Sequence, residues 1–309
     1  TYSGSDPRKA PAVLLSIAFV EEAFGAWHLA GGIGQLAIAI EKRCLDLGVV
    51  INLNSPVTQI NTQNGVATGI ALSDGRELTA DYIVSNSDAS LTYQHLISPT
   101  EKRAKSERKN LAKTQSSLAG FSLLLGLRPA DGEEKLNHHT ILFPENYDAE
   151  FEAIFTEQQP VKNPTIYICA PSDPLMVKDA GHESWFVLVN APRHDVTGKS
   201  GFDWSDENFK HKYANSIIDQ IEARGIKIRE RLDVLEIRTP LDLQESVMAP
   251  GGSIYGTASN SASATFLRTK NRSPIKNLFC VGGSTHPGGG LPLVGISAEI
   301  VANAIGRAR

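Results

Sequence analysis

The glycine-dense turn near the C-terminal end constrains the fold of this chain most strongly. An apolar run at 277–281 leads into Gly282–Gly290, which reads Gly-Gly-Ser-Thr-His-Pro-Gly-Gly-Gly, and Leu291–Ile305 follows with helical character. Pro292 suits the first turn of that helix and Gly306 its end. The pattern predicts a strand–turn–helix unit whose backbone, because it lacks Cβ atoms, can approach a flat partner closely.

A helix that begins beside such a turn presents N–H groups without intrahelical partners and a partial positive charge. Three interpretations follow from local physics alone. The helix start faces the N1–C2=O edge of a flavin, or it binds a phosphate, or the turn is only a tight connection.

Apolar helices and hairpins dominate the first third of the sequence. We predict a helix at 10–24, apolar nearly all round and therefore buried rather than lying in a lipid interface. A second helix at 33–47 and a short buried strand at 49–53 follow. Asn64-Gly65 and Asp74-Gly75 then separate three β-prone runs, which predicts a meander ending at residue 85.

The middle of the sequence predicts a second sheet. Strand-like runs occur at 117–127, 140–143, 165–170 and 185–190, followed by an amphipathic helix at 205–224. This order favours α+β architecture. A basic helix at 99–113 is typical of a solvated face, with anionic headgroups as the alternative.

Composition excludes several classes of function. With 41% hydrophobic and 21% charged residues the chain is globular, and its net charge of −4 argues against nucleic-acid binding. Its three cysteines are widely separated, which favours a reduced, cytoplasmic-type compartment. The longest apolar run is too short to cross a bilayer, which needs about 20 residues, and no signal peptide is expected.

Two weaker motifs are set aside at this point. Gly32–Ala37 fits G-x-G-x-x-G/A, but the preceding residues are barely a strand and no acid follows at the required distance, so a plain helix start is favoured. His138 and His139 have no third ligand at zinc spacing, and no metal is expected.

Several stretches carry one family resemblance. They are 277–293, 252–256, 266–268, 271–274, 27–32 and 80–85. Together they resemble the phytoene desaturase and carotenoid desaturase family, which is FAD-dependent and belongs to an amine-oxidase-like superfamily. The family begins with a βαβ unit carrying the glycine fingerprint for the FAD pyrophosphate, which this sequence lacks, so the resemblance is to the C-terminal portion only.

The resemblance implies an α/β (α+β) fold. Rossmann-like FAD-binding segments, without the N-terminal βαβ unit, would accompany an inserted substrate domain with a mixed or antiparallel sheet and helices. The expected segments are 1–24 (substrate-domain helix), 25–90 (FAD domain with the meander), 91–274 (substrate-binding domain) and 275–309 (C-terminal FAD-binding segment).

The same resemblance implies FAD as the cofactor. Its expected contacts are Val57, Gly282, Gly283, Ser284, Gly290, Leu291, Pro292 and Leu293. Catalytic residues stay unassigned. His286 and His28 are candidates for proton exchange, although hydrogen bonding within the turn is the favoured role of His286, and Tyr255 is a candidate for the cavity near the ring.

The implied reaction is dehydrogenation of C–C single bonds in a long apolar isoprenoid such as phytoene. The alternatives are another flavin oxidase or saturase of the superfamily, or a non-catalytic module that binds apolar ligands without FAD. Because such a substrate resides in lipid, we expect a cytoplasmic protein at a membrane surface.

Overall fold

The computed structural model describes residues 3–130, 135–261 and 268–307. The chain forms two compact units. Unit 1 comprises Thr1–Pro11, Leu53–Ala119 and Leu243–Arg309, and unit 2 comprises Ala12–Asn52 and Gly120–Asp242. The predicted division into an FAD domain and a substrate domain, with boundaries at residues 24, 90 and 274, stays a prediction.

Unit 1 contains two small sheets. The antiparallel sheet has the order β1 (Val57–Gln63), β2 (Val66–Leu72) and β3 (Glu77–Thr79). The second sheet pairs β4 (Ile83–Ser85) in parallel with β10 (Leu278–Cys280). The β1–β2 turn has Asn64 and Gly65 at positive φ, as the Asn-Gly pattern predicts.

Helices complete unit 1. They are α3 (Ala89–Leu91), continued by a π-helical turn at Thr92–Leu96, then α4 (Lys105–Leu111) and α8 (Leu291–Ile305). Its buried core includes Ile60, Tyr93, Ile97, Ile275 and Leu278. The core therefore joins the first sheet to the chain that enters β10.

Unit 2 is built on a five-stranded sheet of order β6-β7-β8-β5-β9. Its strands are β5 (Ala119–Leu127), β6 (His139–Leu142), β7 (Ile166–Cys169), β8 (Glu183–Ala191) and β9 (Leu232–Arg238). The helices α1 (Leu15–Phe24), α2 (Gly34–Asp46), α5 (Asp148–Glu152) and α6 (Glu207–Glu222) also belong to it, and α7 (Pro240–Val247) follows β9. Alternate strand residues such as Phe121 and Ile168 pack with Tyr213, Ile217 and Ile221 of α6.

The long helix of unit 2 forms for the predicted reasons. The Asp206 carboxylate accepts hydrogen bonds from the backbone N–H groups of Asn208 (2.9 Å) and Phe209 (3.2 Å), which caps the first turn. Its apolar positions four residues apart are buried against the sheet. The predicted α+β arrangement with an antiparallel sheet is confirmed.

Three local predictions are wrong. The helix at 10–24 forms, but its apolar side chains are exposed, with Leu15 at 72% and Phe19 at 67%. Residues 49–53 form no strand, and Val50 is 80% exposed. The third meander run splits into β3, which stays in the meander, and β4, which pairs with β10 instead. For β4 the deciding partner is β10, which is distant in sequence.

The basic helix at 99–113 is shorter than predicted and only partly solvated. Arg108 points inward and donates hydrogen bonds to the backbone carbonyls of Tyr93 (2.7 Å), Ile97 (3.0 Å) and Ser98 (2.7 Å). Those carbonyls lie at the end of the π-helical turn, where backbone acceptors lack helical partners. In the described part of the chain, no helix has the length and apolar character needed to cross a bilayer.

Candidate functional site

The candidate site lies where two parallel strands end together. β4 and β10 pair in register, Ile83 with Leu278 and Ser85 with Cys280. Because their carboxyl ends share one edge, residues 86–88 and the start of the glycine turn come together there. This edge is where ligands bind in open α/β sheets.

At two positions, neighbouring side chains approach the backbone so closely that only glycine fits. Gly282 has φ +105°, and a Cβ atom placed on it would overlap the Oδ1 of Asn86. A Cβ on Gly256, whose φ is +69°, would lie 2.7 Å from the Cβ of Ser284. The Ser284 hydroxyl accepts a hydrogen bond of 2.9 Å from the backbone N–H of Ala89, the first residue of α3. The turn is therefore fastened directly to the residues after β4.

Arg268 supports the turn from beneath. The side chain is buried, at 9% exposure, and its guanidinium donates to the backbone carbonyls of Tyr255 (2.7 Å), Gly283 (3.3 Å) and Thr257 (3.0 Å). Burial lowers the pKa of Arg268, and the nearby carboxylate of Asp88 opposes that effect. The guanidinium thus holds two loops together under the glycine backbone.

A second polar group fixes the turn to α8. The side-chain amide of Asn271 lies within hydrogen-bond distance of the carbonyls of Cys280 (3.1 Å) and His286 (2.9 Å) and of the Ser297 hydroxyl (2.9 Å). Ser297 also accepts from the backbone N–H of Gly282 at 3.2 Å. These buried groups satisfy one another, which specifies one conformation of the turn.

Asp88 is the acidic group of the site. Its carboxylate caps α3 by accepting a 2.7 Å hydrogen bond from the backbone N–H of Ser90. Burial raises the pKa of Asp88, while the hydrogen bonds from Ser90 and the charge of Arg268 act in the opposite direction. Asp88 therefore belongs to the framework of the turn.

The opposite face of the turn is open backbone. A Cβ placed on Gly290 would meet nothing within 4 Å, and Leu291 is 57% exposed. The first turn of α8 leaves the N–H groups of Leu291 and Leu293 without intrahelical partners, and Pro292 has none to donate. A partial positive charge therefore lies beside uncovered backbone.

The glycine backbone of the turn already packs directly against one flat ring, that of Tyr255. A Cβ atom placed on Gly289 would overlap the Cδ1 and Cγ atoms of the Tyr255 ring. A Cβ atom placed on Gly283 would lie 3.6 Å from the Cδ1 of the same ring. A planar ring system can thus lie at the Gly290–Leu291 end, with Tyr255 as its neighbour. On this test the residues fit the isoalloxazine of FAD.

The structure gathers most of the predicted cofactor contacts into one stretch. Gly282, Gly283, Ser284, Gly290 and the 291–293 helix start all belong to the turn just described. Val57 lies outside this stretch, because it begins β1 and pairs with Leu72 in the antiparallel sheet of unit 1. The assignment of all these residues as FAD contacts stays a prediction.

The histidine candidates have different surroundings. The His286 side chain is exposed, and its backbone N–H donates to Thr269 at 2.9 Å. His28 lies in unit 2, where its Nε2 is 2.8 Å from the Asp173 carboxylate. Residues 266 and 267, quoted for the resemblance, lie outside the described residues.

The sequence alone does not identify the buried polar residues that hold the glycine turn in place. The charges of Arg268, Lys270 and Arg272, close together in the sequence, favour a solvated basic patch. For Arg268 this interpretation is wrong, because its side chain is buried at 9% exposure. No sequence pattern points to Asn86, Asp88 or Ser297. The signal available was the Arg268 and Asn271 spacing just before β10, within the stretch that carries the resemblance.

Comparisons with known proteins support the architecture. A sequence model of the flavin-containing amine oxidoreductase family matches residues 3–122. An oxidoreductase from Methanosarcina mazei has a similar fold, with a TM-score of 0.56 at 18% identity over 88% of this chain and 54% of that one. Residues 3–122 are thus similar to the flavin-containing amine oxidoreductases.

Curated relatives confirm the resemblance to carotenoid desaturases. The chain is 35% identical to a 1-hydroxycarotenoid 3,4-desaturase of a Flavobacterium species, over 99% of this chain and 60% of the relative. It is 32% identical to a 4,4'-diapolycopene oxygenase of a Methylomonas species, over 98% of this chain and 60% of the relative. The chain therefore spans about three fifths of the length of these relatives.

Proposed function

We propose that the full-length protein is an FAD-dependent oxidoreductase that desaturates C–C single bonds in a long apolar isoprenoid of the carotenoid type. The observation that carries the proposal is the open glycine backbone of the 282–290 turn beside the start of α8. Relatives named as carotenoid desaturases and oxygenases support the substrate class.

The chemistry that FAD supplies when bound is acceptance of a hydride from the substrate. The N–H groups of Leu291 and Leu293 would stabilise negative charge at the adjacent ring edge, because a helix start favours anions. Gly283 and Gly290 would allow the ring to lie against backbone. Arg268 and Asn271 hold that backbone in place from the buried side.

An isoprenoid offers no charged group to recognise. Affinity must come from burial of apolar surface, worth about 25 cal/mol per Å². A groove of 1380 Å³ in unit 2, lined in part by Leu142, Phe209 and Tyr213, also carries Glu145 and Lys212 on its walls. Such a mixed lining suits a hydrocarbon poorly, so the groove is not assigned to the substrate.

The direct test is turnover of an acyclic carotenoid by the full-length protein loaded with FAD. Each new conjugated double bond shifts the product absorbance to longer wavelength, and chromatography with mass detection counts the hydrogens lost. Loss of hydrogen pairs supports desaturation. A product that gains oxygen supports the second candidate, an oxygenase like the Methylomonas relative. Unchanged substrate, with FAD bound, contradicts both.

Two substitutions at Gly283, one large and one small, test whether this residue contacts the flavin. Gly283→Leu places a branched side chain against Gly289 and Tyr255, and we expect loss of bound flavin. Gly283→Ala adds a Cβ that meets only ordinary contact distances, 3.4 Å to Gly289 and 3.6 Å to Tyr255, and should keep it. Equal flavin absorbance in both variants would refute the assigned contact.

We also propose a cytoplasmic location at a membrane surface. The support is α1, whose Leu15, Phe19 and Phe24 side chains are 72%, 67% and 68% exposed. Co-sedimentation of the full-length protein with lipid vesicles should fall when Phe19 and Phe24 are replaced by serine. Sedimentation independent of these residues, or no sedimentation at all, contradicts the proposal.

A further inference from the structure

Two histidines and a cysteine meet on one face of the unit 2 sheet. His139 of β6 pairs with Cys169 of β7, so their side chains project from the same face. His138 precedes β6, where its carbonyl accepts a 2.8 Å hydrogen bond from the N–H of Ala170. A ring nitrogen of each histidine and the Sγ of Cys169 all lie within 4.8 Å of one another.

This face is turned away from the hydrophobic core. Ile166 and Ile168 of β7 are buried, whereas the alternate residues Tyr167 and Cys169 are only half-buried. Solvent can therefore reach the three groups. A metal ion could enter without disturbing the core.

Neighbouring groups fix the orientation of the imidazoles. The Nδ1 of His139 lies 2.8 Å from the Tyr167 hydroxyl. The rings of His138 and His139 have centroids 4.5 Å apart, and His28 packs edge-on against His138 at 5.2 Å. Hydrogen bonds from outside groups of this kind hold metal-binding histidines in position.

His28 is itself held firmly. The Asp173 carboxylate lies 2.8 Å from its Nε2 and accepts backbone hydrogen bonds from Gly31 (2.7 Å) and Leu175 (2.8 Å). The chain between α1 and α2 is thereby fastened beside the histidine pair. His28 acts in this arrangement as a positioning residue for His138.

We propose that His138, His139 and Cys169 bind a divalent transition-metal ion, with zinc the preferred metal. Thiolate and imidazole are the donors that zinc favours, and a tetrahedral zinc holds such donor atoms roughly 3.5 Å apart. Side-chain rotation is enough to reach that spacing from the observed one. Cys169 loses its thiol proton to solvent on binding, and water completes the coordination.

Sequence reasoning excluded this site because the third ligand is not at a characteristic spacing. Cys169 is brought in by strand pairing, 30 positions along the chain from His139. The site lies in unit 2 and shares no residue with the glycine turn. Its test is therefore independent of the flavin proposal.

The test uses the untagged full-length protein and the metal ion alone. We expect one zinc per chain after dialysis, measured by elemental analysis, and a rise in melting temperature with added zinc because the ion binds the folded form. Cobalt in place of zinc should give a thiolate-to-metal charge-transfer band. Cys169→Ser should remove that band, whereas the control Cys44→Ser, in α2, should keep it.

A graded variant separates binding from folding. Tyr167→Phe removes the hydroxyl next to His139 and should weaken zinc binding about tenfold. His139→Gln should abolish stoichiometric binding while circular dichroism of the metal-free variant stays unchanged. The proposal is overturned if the wild-type chain takes up no zinc, or if Cys169→Ser and His139→Gln bind it as tightly as the wild type.

Discussion

Two helices in the described part of the chain, α8 and α2, each follow closely spaced glycines, and their surroundings differ. α8 follows Gly288–Gly290, and β10 precedes that turn and pairs with β4. α2 follows Gly31 and Gly32, both at positive φ, with no strand in the described residues before it and with no buried residue in its length. α8 buries Ser297 and Val301.

The difference shows what a glycine pattern requires before it indicates a ligand site. The α8 turn is held by strand pairing, a buried guanidinium and an amide network. The residues before α2 are held mainly through Asp173, which accepts from the Gly31 N–H. The G-x-G-x-x-A match at Gly32 is therefore a plain helix start, as the sequence favoured.

The largest expected effect tests the buried guanidinium beneath the α8 turn. Arg268→Met leaves three carbonyls without their donor, so we expect a loss of about 3 kcal/mol in free energy of unfolding. Arg272→Met is the control, because Arg272 is exposed and lies over the Phe279 ring at 5.6 Å, worth about 1 kcal/mol or less. Urea denaturation measures the free energy of unfolding of both variants. Equal losses would show that the buried Arg268 guanidinium contributes no more to stability than the exposed Arg272.

The next effect compares a glycine from each helix start. Gly282→Ala forces a Cβ onto Asn86 at positive φ and should cost about 2 kcal/mol. Gly34→Ala, at the first residue of α2, meets nothing within 4 Å and should increase stability by about 0.5 kcal/mol. Thermal unfolding of the two variants measures these two changes in stability. Similar costs would mean that the two glycine segments are equally constrained.

A smaller effect concerns the hydroxyl that joins the turn to α8. Ser297→Ala removes the acceptor for the Gly282 N–H and the partner of Asn271, for a loss of about 1.5 kcal/mol. Ala298→Ser, at the exposed neighbouring position, should change stability by less than about 0.5 kcal/mol. If both variants unfold alike in denaturant, the hydroxyl does not fasten the helix.

The smallest effect is a pH dependence on the α2 side. Hydrogen bonds from His28, Leu175 and Gly31 lower the pKa of Asp173 below its ordinary value of 3.8. The stability contributed by the carboxylate is therefore present above pH 3.8 and lost as the pH falls through the lower, folded-state pKa. Melting temperatures should decline less in acid for Asp173→Asn than for wild type, and parallel curves would contradict this.

The sequence predicted what local signals determine. The Asn64-Gly65 hairpin, the α6 helix with its apolar positions four residues apart and the limits of α8 follow from turn chemistry and periodicity. The exposure of α1, the transfer of β4 to a second sheet and the burial of Arg268 do not, because tertiary packing and not local periodicity decides each of them. The His138, His139 and Cys169 cluster arises for the same reason, from strand pairing.

The pairing of β4 with β10 also bears on how the chain is made. Ala89 and Ser284, which join the two strand ends, are 195 residues apart in sequence. A ribosome that adds about 5–20 residues per second needs roughly ten seconds or more to supply the second partner. During that interval the edge of β4 has no neighbouring strand, while residues 120–242 of unit 2 are being synthesised. Chaperone binding to nascent chains should therefore concentrate on the 83–85 segment.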